Sequence, residues 1–262
     1  MSTSKSGALL TTIRDLARRR GRERRGLALA EGVRLVEEAL AAGVPVRGAA
    51  VSPALEATPR GTALKSALVA RGVPVHDVAP AELDALADTE QPQGIVAVIE
   101  PRVWSLDQVP VSAGCVALVL DAVQDPGNVG AVLRTALGLG AAGVVALKGT
   151  ADLTNPKVLR GSMGAAFRLP AVATDADTLL AWARARGVEL WVAASDGTPL
   201  ARGGRTGRPP LALVLGNEGA GVGPTVAGAA DRRVAIPLAA SVESLNIAVA
   251  AGILLYEVTR DA

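Results

Sequence analysis

Five short, wholly or largely apolar runs constrain the second half of this chain more than any other feature. They are CVALVL (115–120), GVVALKG (143–149), ELWVAAS (189–195), LALVLG (211–216) and RVAIPL (233–238). A strand with both faces buried shows no polar alternation, and such strands occur mainly in parallel sheets covered by helices. Between the runs lie stretches with helical signals. NVGAVLRTALGLG follows the turn DPGN, KVLRGSMGAAF reads as another helix, and SLNIAVAAGILLYEVTR closes the chain as a long apolar one. Strands alternating with helices predict an α/β domain with a mainly parallel sheet.

The first half carries the same alternation more weakly. GVRLVEEALAAG (32–43) has apolar residues at helical spacing and stops at a glycine. VRGAAVSP and VPVHDV read as strands, ALKSALVARG and AELDALADTE as helices, and GIVAVIE (94–100) as a buried strand. PRVWSLDQVPVSAG has two prolines and no period. The predicted organisation is therefore a smaller domain over 1–100, a linker over 101–113, and a larger domain over 114–262. GGRTGRPP (203–210) is read as a loop.

Composition narrows the chemistry. The chain has one histidine, His76, one cysteine, Cys115, and five aromatic residues (three Trp, one Tyr, one Phe). A structural zinc site needs about four Cys or His ligands, so no metal is expected. A nucleophile activated by histidine would depend on His76, far from every glycine-rich segment. A lone cysteine suits a reducing compartment, and no apolar run approaches the ~20 residues of a bilayer span, so a cytoplasmic protein with no membrane association is expected. An enzyme with so few reactive side chains needs a substrate or cosubstrate that is already activated. The charge is uneven: residues 1–30 hold eight basic residues against Asp15 and Glu23, hence +6, within a whole-chain net of +2. Arg18, Arg19, Arg22, Arg24 and Arg25 are the candidates for binding RNA phosphates, the alternative being a solvated basic helix.

In open α/β sheets ligands collect at the carboxyl ends of strands. Three predicted strand exits carry unusual residues: LDAVQDPGNVGAVLR with Asn128 and Arg134, LGNEGAGVG with Glu218, and IPLAASVESLNIAVAAG with Ser244 and Asn246. None fits a dinucleotide fingerprint or a triphosphate loop. Ser241 or Ser244 would serve as a helix cap, whereas Asn246 falls inside the expected first turn. Arg134 is either a functional group or half of a salt bridge to Asp121, Asp125 or Glu218.

Together these segments resemble the three ordered motifs of the SpoU/TrmH family, RNA ribose 2′-O-methyltransferases of the SPOUT superfamily. QDPGNVGAVLRTA, LGNEGAGV and IPLAASVESLNIAVAAGILLYE carry the likeness, and EGVRLVEEAL (31–40) and QPQGIVAVI (91–99) resemble the family's RNA-binding domain more loosely. The resemblance implies a C-terminal α/β knot, a deep trefoil with a mainly parallel sheet, preceded by a smaller α/β RNA-binding domain. It implies S-adenosylmethionine bound bent around Leu215, Gly216, Ile236, Leu238 and Leu245. It also implies a homodimer in which the partner chain completes each active site. Arg134, Asn128, Glu218, Ser244 and Asn246 become the catalytic candidates, with ribosomal RNA favoured over transfer RNA. A guanidinium holds its proton too tightly to serve easily as a base, so stabilising charge on the 2′-oxygen is the easier role. A base-nitrogen methyltransferase of the same fold and a non-catalytic RNA-binding assembly protein are the alternatives.

Overall fold

The computed structural model describes residues 3–200, 208–239 and 241–259; residues 203–207 of the expected loop lie outside them. The chain forms two compact units, residues 1–102 with 154–167, and residues 103–153 with 168–262.

The first unit contains α1 (Thr3–Leu16), α2 (Arg19–Arg25), β1 (Ala28–Glu31), α3 (Val33–Ala41), β2 (Val46–Val51), α4 (Pro59–Ala70), β3 (Val75–Asp77), α5 (Pro80–Asp84) and β4 (Ile95–Ile99). Its strands form one mixed sheet in the order β1-β4-β2-β3, with β4 antiparallel to both neighbours and β2 parallel to β3. β4 is buried along its length. Its period-two side chains serve two cores: Ile95, Ala97 and Ile99 face Leu64 and Leu68 of α4, while Val96 and Val98 face Leu10, Ile13 and Leu16 of α1. β1 was not read from the sequence, because ALAE is too short to display a period.

The basic segment folds as the corner between α1 and α2, and this corrects one expected RNA contact. Arg22 is only 4% exposed. Its Nη1 donates to the carbonyl oxygens of Leu16 (3.1 Å) and Ala17 (3.2 Å), and its Nε donates to Thr154 Oγ1 at 3.3 Å. Arg22 therefore closes the end of α1 and is unavailable to phosphates. Arg24 and Arg25 converge on Asp15 at 2.7 and 2.6 Å, and Arg19 pairs with Glu23. The hydrogen bonds from Arg25 and Arg24 hold the Asp15 carboxyl below its usual value. The stability it contributes is present above the unfolded carboxylate pKa of about 4, and is lost as pH falls through the lower folded value. Arg18, Arg19, Arg24 and Arg25 remain exposed. Arg22→Ala should cost about 1–3 kcal/mol, since it strands two carbonyls. A lowered thermal midpoint with unchanged RNA affinity is the expected result.

The second unit contains β5 (Val116–Leu120), α6 (Pro126–Gly138) and β6 (Gly143–Leu147). After α7 (Pro156–Ser162), which belongs to the first unit, come β7 (Ala171–Thr174), α8 (Ala176–Arg186), β8 (Glu189–Pro199), β9 (Leu211–Leu215), α9 (Pro224–Ala227), β10 (Arg232–Ala235) and α10 (Ile247–Thr259). The six strands form one sheet in the order β10-β8-β9-β5-β6-β7, and every pair is parallel. Four of the five apolar runs thus became interior strands and the fifth, β10, an edge strand, with β5, β6 and β9 buried throughout.

Three boundaries differ from the sequence reading. The expected helix 157–167 stops at Ser162, because Met163 takes the left-handed conformation (φ 51°) and Gly164 follows at φ 88°. Residues 154–167 pack with the first unit, where Leu159 and Phe167 join its core, and not with the larger domain. The expected linker belongs to the second unit from Val103 onward, and Val109, 2% exposed, packs against Gly143 there. Among the described residues no helix is long and apolar enough to cross a membrane.

Candidate active site

The strand exits meet at the carboxyl end of the second unit's sheet. After β5, Asp125 caps α6 by accepting from Asn128 N at 2.7 Å. The cap and the Pro126 that follows set the helix start, so the Asn128 side chain leaves from the first turn. Asn128 Nδ2 donates to Glu218 Oε1 at 2.7 Å, and Asn128 Oδ1 accepts from Asn246 Nδ2 at 2.9 Å. One amide therefore ties together all three motifs, at residues separated by 90 and 118 positions.

Asn246 differs from its sequence reading. α10 begins at Ile247, and Asn246 is the residue before it, its Oδ1 accepting from Ala248 N at 2.9 Å. It caps the helix while reaching Asn128, so neither Ser241 nor Ser244 is needed as the cap. Asn246→Ala should cost about 1 kcal/mol from the lost cap and release the Asn128 amide. A fall in thermal midpoint, by about the cost of one cap, is the expected outcome.

The loop after β9 is organised by Asn217, which sequence reasoning left out of the site. Its backbone pairs with Gly221 in both directions (3.0 and 2.8 Å), and its Oδ1 accepts from Gly219 N and Ala220 N. Its Nδ2 donates to the carbonyl of Ala122 at 3.1 Å. Asp121 fastens the far end by accepting from Gly223 N at 2.7 Å. Gly216 permits this closure, because a Cβ there would lie 2.2 Å from the carbonyl carbon of Gly221. The signal was present in sequence as polar residues, Asp121 and Asn217, at the ends of two apolar runs.

A cavity of about 400 Å³ opens beside this loop. Leu215, Gly216, Ile236, Leu238 and Leu245, the five donor-binding candidates, all line it, as do Glu218 and Ser244. Glu243, one of the polar residues of the third strand exit, and Ser195 also line it and were not among the expected site residues. Ser195 reaches it because β8 leaves register with β10: Arg233 pairs with Val192 but Val234 pairs with Thr198, so residues 193–197 bulge from the ladder. No local pattern in the sequence announces that bulge.

Asn128, Asn246 and Arg134 do not line the cavity. Six residues of helix place Arg134 ~9 Å along α6 from Asn128 and ~240° around its axis. It is exposed and, among the described residues, has no hydrogen bond or ion pair. The salt-bridge alternatives are taken elsewhere: Asp121 holds Gly223, Asp125 caps α6, and Glu218 receives Asn128.

Residues 115–256 match the SpoU rRNA Methylase family, and residues 10–97 match the MRM3-like substrate binding domain. The chain belongs to the SpoU rRNA methylase family. It is 35% identical to the 23S rRNA (guanosine(2553)-2′-O)-methyltransferase RlmP of Bacillus subtilis, over 87% of this chain and 86% of that one. It is 32% identical to the 23S rRNA (uridine(2479)-2′-O)-methyltransferase of Streptomyces viridochromogenes, over 94% and 86%. The solved SpoU methyltransferase AviRb of the same organism, in complex with the cofactor AdoMet, superposes with a TM-score of 0.84 at 31% identity, covering 96% of this chain and 97% of that one.

The cavity suits the cofactor that SpoU proteins use. Its volume is in the range of small-molecule sites. Leu215, Ile236, Leu238 and Leu245 offer an apolar wall, and Glu218 and Glu243 offer carboxylates to a cation. The bulged β8 and the glycine-rich turn both contribute small residues to the wall, Ala193, Ala194, Gly216 and Gly219 among them.

Proposed function

We propose that this SpoU protein transfers a methyl group from S-adenosylmethionine to a ribose 2′-hydroxyl of ribosomal RNA. One observation carries the reading: a side-chain amide, Asn128, joins the three family motifs at the rim of a donor-sized cavity. When bound, S-adenosylmethionine supplies a methyl group already activated by its sulfonium, which fits a site without histidine or cysteine.

Leu215, Gly216, Ile236, Leu238 and Leu245 hold the donor, and the carboxylate of Glu218 complements its positive charge. Glu218 and Asn246 fix the Asn128 amide, which holds the nucleotide together with Ser244. Arg134 binds the RNA phosphate and stabilises charge developing on the 2′-oxygen as its proton departs. Its exposure, and its separation from Asn128 around α6, favour action across a homodimer, with Arg134 of one copy serving the cavity of the other. The exposed apolar residues support that assembly. Leu137 on α6 and Val249, Ile253 and Tyr256 on α10 stay open, the last three at helical spacing along one stripe. We also take the C-terminal segment to be threaded as a trefoil knot, which fits a cavity wall drawn from β8, β9, the 236–245 segment and α10. The smaller unit is the RNA-binding part, with exposed Arg18, Arg19, Arg24 and Arg25 on its basic corner. The compartment is the cytoplasm, where ribosomal RNA and reduced thiols are found.

Incubation with methyl-labelled S-adenosylmethionine and deproteinised ribosomal RNA tests the reading. Label entering RNA, together with calorimetric donor binding, is the expected result. Donor binding without transfer to any RNA would favour a non-catalytic assembly protein.

A further inference from the structure

A second cavity, of about 200 Å³, lies wholly within the smaller unit between the start of α3, the 89–93 segment and the end of α7. Its floor is rigid. Glu31, 5% exposed, accepts from Asp88 N (2.9 Å), Thr89 N (3.2 Å), the Thr89 hydroxyl and Arg160 Nη1 (3.0 Å), so all of its acceptor positions are filled. Arg160 is anchored as well, its Nη2 donating to Asp88 at 2.7 Å. Gln93 Oε1 accepts from Val33 N at 2.9 Å, which points the rest of that amide along the cavity wall.

What remains open at the rim is different in kind. Arg34 and Gln91 line the cavity, are exposed, and have no polar partner among the described residues. The Gln93 amide nitrogen has no hydrogen bond among the described residues. Leu35 and Met163 supply apolar wall. An apolar slot with two amide groups and one free guanidinium matches a planar, hydrogen-bonding ring attached to a phosphate. Side-chain amides pair with base edges, and arginine pairs with phosphate. Glu31, Asp88 and Arg160 together carry one net negative charge, so Arg34 is the cation left at the rim for a single phosphate.

We infer that this cavity binds one unstacked nucleotide of the substrate RNA, with Gln91 and Gln93 on the base edge and Arg34 on its phosphate. The site rests on the proposed action on RNA. It adds a recognition point separate from both the donor cavity and the basic corner at α1 and α2.

The test measures equilibrium binding of a 23S rRNA transcript to the full chain at several salt concentrations. Arg34→Ala and Gln91→Ala alter exposed, unpartnered side chains, and unchanged thermal midpoints establish that the fold persists. Each should weaken binding about tenfold. Arg34→Ala should also reduce the salt slope by about one phosphate contact, whereas Gln91→Ala should leave the slope unchanged. Binding within twofold of the parent in the double variant would overturn the site, as would a parent chain that binds no RNA. If the parent binds RNA and the variants weaken it, but no methyl group is transferred, the nucleotide site stands and the catalytic reading falls.

Discussion

Arg134→Ala should lower methyl transfer by about 10² to 10³-fold, the usual loss when one donor to a developing negative charge is removed. It should do so with little structural cost. Arg134 is exposed and makes no hydrogen bond or ion pair among the described residues, so stability should change by less than about 0.5 kcal/mol. Donor affinity should stay near that of the parent, because Arg134 is absent from the cavity wall. A structural arginine would give the opposite pattern, with thermal midpoint, donor binding and activity falling together. Mixing Arg134→Ala chains with chains defective in donor binding adds a further readout. If Arg134 serves the partner's cavity, the mixed dimers regain activity that neither variant has alone.

Gly216→Ala should have a comparable effect by another route. The new Cβ would lie 2.2 Å from the carbonyl carbon of Gly221 and 2.3 Å from the nitrogen of Val222. Both obstacles are backbone, so the loop itself has to move. That movement breaks the paired backbone hydrogen bonds between Asn217 and Gly221 and displaces Glu218 from Asn128. Overpacking of this kind costs about 1–3 kcal/mol. The larger loss is in preorganisation, and calorimetry should report at least about a hundredfold weaker S-adenosylmethionine binding. Affinity within threefold of the parent would mean that this loop does not shape the donor site.

The central sheet was legible because burial on both faces leaves an unmistakable mark. β5, β6 and β9 read as unbroken apolar runs and became buried parallel strands. That Leu215, Gly216, Ile236, Leu238 and Leu245 line one cavity was legible only through a likeness to a family, since residues gathered from separate strand exits share no local pattern. β1 and β7 were missed, each four residues long and poor in large apolar side chains. α8 was missed despite its Asp175 cap and closing Gly187. The inward turn of Arg22 was not readable either, because a run of six arginines gives no hint of which one is needed to close a helix end. The docking of residues 154–167 with the first unit depends on contacts with β1 and α3 that lie more than a hundred positions away. Asn246 was read inside the first turn rather than as the cap before it, since an apolar helix following a polar stretch leaves its first residue undefined by pattern alone.

The position of the transferred methyl group tests the catalytic reading most directly. Ribosomal RNA methylated by the purified protein, digested to nucleosides and resolved by mass spectrometry, should carry the added mass on the ribose, as a 2′-O-methyl nucleoside at a single site. A methyl group found on a base would contradict ribose chemistry at the Asn128 and Arg134 site.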